Sequence, residues 1–204
     1  MPKTASMMLS LSTPAPDFNL PDVVSGQVLS LNTFADRQAL LVIFASPHCP
    51  FVQHVKHEFA KLERDYSSQG LGILAISAND PINYPDDAPD KIKQLATEVG
   101  FTFPFAFDDT QEVAKAYQAA CTPDFFLFDA NRKLVYRGQL DDSRPGNNIP
   151  VTGRDLRQAI DAALSNRSVD PDQKPSIGCN IKWKAGNEPS YYGAAAGIAV
   201  GTAS

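Results

Sequence analysis

The stretch FASPHCPFV, Phe44 to Val52, decides how this chain is read. Just before it and into it, Ala39 to Phe44 (ALLVIF) forms an unbroken apolar run of strand length. Beyond the cysteine, Phe51, Val52, Val55, Phe59, Leu62 and Tyr66 recur at spacings that mark one apolar face of a helix. Cys49 therefore falls where a strand ends and a helix begins. A helix start presents unpaired N–H groups and a partial positive charge. Both favour the thiolate, which is the nucleophilic form of cysteine. Cys49 is the candidate nucleophile, weighed against the plainer alternative of a small buried apolar residue. Pro50 suits the first helical position, where its missing N–H would be unpaired in any case.

Working outward, APDFNLPDVVSGQVLSL reads as a β-hairpin turning at Ser25-Gly26, ahead of the cysteine segment. The helix runs to about Gln69, and Leu71 to Ser77 is a second strand. Asn79 to Asp90 (NDPINYPDDAPD) reads first as a solvated connector, and its place after a strand also permits a role at the edge of a site. A helix follows over about 89–99, with Gly100 as its stop. Phe101 to Phe107 is extended, and a short helix spans about 110–119, capped at Asp109 or Thr110. Strands at 124–128 and 133–137 turn at Asp129-Ala130-Asn131, and Thr152 with Asp155 opens a last helix. This order predicts an α/β fold: a mixed central sheet with helices on both faces, preceded by the hairpin and followed by a tail. The expected organisation is a flexible lead-in over 1–13, a domain over 14–165, and an extension over 166–204. Within the extension the island SIGCNIKWK (Ser176 to Lys184) alternates Ile177, Ile181 and Trp183, which predicts an edge strand or a pinned segment. The closing GAAAGIAVGTAS reads as mobile.

Composition narrows the function classes. The 204 residues are 43% hydrophobic and 20% charged, with a net charge of −5. That is an ordinary globular balance. The acidic charge argues against nucleic acid and anionic membranes as partners. Three cysteines (Cys49, Cys121, Cys179) without a C-x-x-C spacing fit neither a secreted disulfide scaffold nor a zinc knuckle. No apolar run reaches spanning length, and the N-terminus lacks the apolar core of a signal peptide. The expectation is a soluble cytoplasmic protein. His54 and His57 share a helix face with Lys61, but no carboxylate or cysteine joins them at metal-ligand spacing, so that face reads as solvated. No role is assigned to Asp124.

A strand, a turn, a cysteine and a helix, followed later by Thr122-Pro123 before a strand hairpin, resemble the thioredoxin fold. Cys49 matches the first, nucleophilic cysteine of that fold, and Val52 stands where the second would be. Thr122-Pro123 matches the pair ending in a cis-proline. The opening hairpin, with HCPFV, DDTQEVAKAY, CTPDFFLFD, TGRDLR and KPSIGCNIKWK, is similar to the peroxiredoxin-like subfamily of the alkyl hydroperoxide reductase and thiol-specific antioxidant (redoxin) family.

The resemblance implies a thiol-dependent oxidoreductase acting through Cys49 on a disulfide or oxidised sulfur of a protein or small molecule. It implies no cofactor and no metal, and an external thiol as reductant. Cys121 and Cys179 are both candidate resolving thiols, although alternation along an extended segment can turn Cys121 away from Cys49. Ser46, His48, Pro50, Thr122 and Pro123 are the supporting residues. His48 is either a polar neighbour that helps hold the thiolate or a half-exposed filler. Two departures bear on peroxide chemistry. Val42 stands where peroxiredoxins place a proline, with Ser46 in place of their threonine, and Pro123 stands where they supply an arginine. The alternatives are a weak one-cysteine peroxidase, or a non-catalytic module holding an extended partner segment beside Pro123.

Overall fold

The computed structural model describes residues 3–193. Its centre is a five-stranded sheet in the order β6-β5-β4-β8-β9. The strands are β4 (Ala39–Phe44), β5 (Leu71–Ser77), β6 (Phe105–Phe107), β8 (Asp124–Phe128) and β9 (Leu134–Tyr136). Strand β4 runs parallel to β5 and antiparallel to β8, so the sheet is mixed. Every residue of β4 and β5 is buried, as expected of central strands covered on both faces. On one face lie α1 (Pro50–Tyr66), α2 (Pro89–Val99) and α4 (Arg154–Leu164), packed around Phe59, Leu62, Ile92, Phe125, Leu156 and Ile160. On the other lie the short α3 (Glu112–Ala116) and the hairpin of β2 (Leu20–Pro21) and β3 (Val28–Leu29), packed with Phe18, Phe44, Tyr117, Phe126 and Phe128.

A second, three-stranded sheet has the order β1-β10-β7, with β1 (Lys3–Ala5), β7 (Cys121–Thr122) and β10 (Ile177–Asn180). It changes two expectations. Residues 1–13 were expected to be a flexible lead-in, yet Lys3–Ala5 is a strand paired with β10. The island over 176–184 is expected as an edge strand or a pinned segment; its β10 is not an edge but the middle strand, because β7 offers it one ladder and β1 another. The short helix near 110–119 is also smaller than expected. Gln111 sits at φ 65° and its buried side chain reaches across the chain, so the helix begins only at Glu112. The closing GAAAGIAVGTAS, read as mobile, lies outside the described residues apart from its first glycine.

Candidate functional site

Strand β4 delivers the chain through Ala45, Ser46 and Pro47 to Cys49, which is the N-cap residue of α1 with extended backbone (φ −70°, ψ 120°). Pro50 occupies the first turn of the helix and is exposed. Cys49 itself is 1% exposed, and all three cysteines are buried and free. The Thr122-Pro123 peptide is cis. It brings the Thr122 carbonyl to the cysteine: the protonated sulfur donates to Thr122 O over 3.1 Å.

The register of the second sheet then determines which cysteine joins the site. Cys179 stands opposite Thr122 and Asn180 opposite Cys121. Directly opposed residues in an antiparallel ladder share a face, and successive residues alternate. Cys179 and Thr122 therefore share the face toward Cys49, whereas Cys121 belongs to the other. The Cys121 sulfur contacts Pro123 O at 3.6 Å and Ser176 O at 4.0 Å. Strand β10 can lie this close because residue 178 is glycine: a β-carbon there would fall 2.0 Å from Thr122 O.

The electrostatics separate the three sulfurs. The Cys49 pKa is lowered to about 6. The largest cause is the Cys179 thiol beside it; burial opposes the shift, and the Thr122 side chain adds to it. The Thr122 hydroxyl is buried with no other partner. The backbone N–H groups of Val52, in the first turn of α1, and of Cys179 also favour the thiolate, although Cys49 makes no formal capping bond. The helix start contributes as the sequence suggested, but the neighbouring thiol contributes more. Cys179 is pushed up correspondingly, first by its interaction with Cys49 and then by burial. Cys121 is pushed well up by burial and by the nearby Asp124.

A buried carboxylate organises the loop around Cys49. Asp87, 0% exposed, accepts the Ser46 hydroxyl at 2.7 Å and the Asn79 amide at 2.7 Å, and its Oδ2 lies 2.6 Å from His48 Nδ1. In the one-cysteine peroxidase alternative Ser46 would handle the peroxide; its hydroxyl instead donates to Asp87. His48 likewise is engaged with Asp87 and stacks on Tyr84, with ring centroids 6.1 Å apart. Asn79 extends the cluster to the tail, since its Oδ1 accepts the Lys182 N–H at 2.8 Å. Asp87 and Asn79 were missed in the sequence because their loop reads first as a solvated connector. His54 is also less free than expected: its Nε2 lies 2.7 Å from the Ser143 hydroxyl, while His57 and Lys61 are exposed. Among the described residues no group of three or more His, Cys, Asp or Glu side chains is arranged to hold a metal. No described helix is long and apolar enough to cross a membrane.

The redoxin family model matches residues 11–156. The chain belongs to the redoxin family. A crystal structure of an uncharacterized conserved protein from Geobacillus kaustophilus superposes with a TM-score of 0.88 at 52% identity, covering 90% of this chain and 97% of that one. The thioredoxin domain of a thiol-disulfide oxidoreductase from Bacteroides vulgatus superposes with a TM-score of 0.54 at 22% identity, over 63% of this chain and 88% of that one. The redoxin chain thus has a thioredoxin-like fold. The thiol-disulfide oxidoreductase ResA of Geobacillus thermodenitrificans (strain NG80-2) is 26% identical over 132 residues, which is 64% of this chain and 70% of that protein.

Proposed function

We propose that this redoxin is a thiol-disulfide oxidoreductase in which Cys49 is the nucleophile and Cys179 the resolving thiol. The observation that carries the reading is the ladder position of Cys179 opposite Thr122, whose carbonyl oxygen is 3.1 Å from the Cys49 sulfur. The likeness to ResA, a thiol-disulfide oxidoreductase by name, supports the same chemistry.

The Cys49 thiolate attacks one sulfur of a substrate disulfide. A Cys49–substrate disulfide forms, the substrate S–S bond breaks, and the other substrate sulfur leaves as a thiolate that takes up a proton. The negative charge that held the Cys179 proton is then gone, because Cys49 is now in a disulfide. The Cys179 pKa falls, its proton passes to the second departing substrate sulfur, and its own sulfur attacks Cys49. The products are a Cys49–Cys179 disulfide and a reduced substrate. An external thiol returns the enzyme to its reduced form. Cys121, on the other face and pushed well up in pKa, stays a thiol throughout.

Turnover of a disulfide substrate in the presence of excess dithiothreitol tests the reading. Cys49→Ser is expected to abolish it, and Cys179→Ser, treated with the disulfide in the absence of dithiothreitol, to retain a mixed disulfide on Cys49. Unchanged turnover in Cys49→Ser would reject the reading.

A further inference from the structure

Strand β7 carries the backbone edge nearest the nucleophile. An open edge of that kind is where an extended peptide adds as an extra strand, held by main-chain hydrogen bonds. Here the edge is already taken by the chain itself. β10 pairs with β7 through Cys179↔Thr122 and Asn180↔Cys121, and the outer side of β10 is capped by β1. Among the described residues β7 pairs with no other strand.

The occupant is fastened at both ends. Before the strand, the Ser176 hydroxyl donates to Pro123 O at 2.6 Å, and Ser176 O accepts the Ser6 N–H at 2.8 Å. After it, Ile181 N–H donates to Ala120 O at 3.1 Å, and Lys182 is held by Asn79, by the Asp80 N–H at 2.9 Å and by the Gln111 amide at 3.0 Å. Ile181 and Trp183 are buried in the core beside Tyr117 and Phe126. Peeling β10 away would break two ladders and return both side chains to water. Gly178 makes the fit tight, since its Cα face lies directly against the Thr122 carbonyl.

We infer that β10 is a built-in occupant of the peptide-pairing edge, and that the disulfide substrate of Cys49 is therefore a small molecule rather than a protein. This inference rests on the exchange chemistry proposed above. A protein disulfide brings an extended flanking segment that needs the edge. A small disulfide needs only to bring one sulfur to Cys49, past the half-buried His48 and the exposed Pro50 that flank it. Electrons pass as in the exchange scheme: the small disulfide is reduced to two thiols while Cys49 and Cys179 are oxidised to one disulfide.

The test compares the rates at which bis(2-hydroxyethyl) disulfide and insulin oxidise the reduced full chain, read in every variant by loss of the free Cys49 thiol and, in the wild type, also by the appearance of the Cys49–Cys179 bridge. In the wild type the small disulfide is expected to be faster by about tenfold or more, the factor carried by one or two backbone hydrogen bonds. In Gly178→Ala the added methyl group forces β10 off β7, and in Asn79→Ala one of the three holds on Lys182 is lost; in each, the insulin rate is expected to rise toward that of the small disulfide. Asn79→Ala keeps the test alive if Gly178→Ala fails to fold. A wild type that accepts insulin as fast as the small disulfide would overturn the inference while leaving the exchange chemistry standing. If neither disulfide produces a Cys49–Cys179 bridge, the exchange reading itself falls and the inference falls with it.

Discussion

Cys179 stands directly across an antiparallel ladder from Thr122, the residue whose carbonyl oxygen lies 3.1 Å from the Cys49 sulfur. Two residues distant in sequence from Cys49 thus converge on it, one on each strand of a single ladder. Most of what this redoxin site can do follows from that convergence. The neighbouring thiol is the largest cause of the low Cys49 pKa, and in the proposed scheme it also supplies the sulfur for the second half of the exchange.

The first expected outcome concerns the thiolate. The rate of Cys49 alkylation by iodoacetamide should rise with pH through a midpoint near 6. Because the Cys179 thiol is the largest cause of the lowering, Cys179→Ala should move the midpoint up toward the free-thiol value of about 8.5. An unmoved midpoint would transfer the effect to the helix start and Thr122. The sign for stability is that of a depressed acid: the Cys49 contribution is present above the unfolded thiol pKa and is lost as pH falls through about 6.

Asp87 is expected to be a structural keystone of the Cys49 loop. Asp87→Ala strips a buried partner from Ser46, His48 and Asn79 at once. Each buried donor left unpaired costs about 1–3 kcal/mol, so the loss should be roughly 2–5 kcal/mol once water reaches part of the gap. Chemical denaturation checks this. A change below about 0.5 kcal/mol, typical of a surface site, would show that the cluster holds nothing.

Asp124 gives a pH signature of opposite sign. Its carboxyl is fully buried, its Oδ1 lacks a partner, and burial raises its pKa to about 7. Ser6 lies near enough to oppose that rise without making a bond of ordinary geometry. A raised carboxyl pKa means that its contribution is present below the unfolded value near 4 and lost as pH climbs through about 7. Because the Cys49 contribution grows over the same range, the signature is a difference: the stability of the wild type relative to Asp124→Asn should fall between pH 5 and pH 8. Melting curves at the two pH values decide it. An unchanged difference between the two proteins would mean that Asp124 is already ionised at pH 5.

The central strands, α1 and the placement of Cys49 were legible because each rests on local pattern. An all-apolar run signals a buried strand, and apolar spacings of three and four signal a helix face. The rest of the site depends on long-range closure, which leaves no periodic trace. β10 is four residues long and contains a glycine, so its sequence could not reveal that it would sit between Lys3–Ala5 and Cys121–Thr122. Asp87 lies among prolines and other aspartates in a polar stretch, and only the fold distinguishes this buried carboxylate from its exposed neighbour Asp86. Gln111 was hidden in the same way, as a polar residue at a helix start whose buried amide spans from Ala78 O to Lys182 O.

The most direct measurement is peptide mapping by mass spectrometry after the reduced chain is oxidised with one equivalent of bis(2-hydroxyethyl) disulfide. A single intramolecular Cys49–Cys179 bridge is expected, with Cys121 left as a free thiol, and the same bridge is expected in Cys121→Ser. A Cys49–Cys121 bridge, or a lasting hydroxyethyl adduct on Cys49 beside a free Cys179, would contradict it.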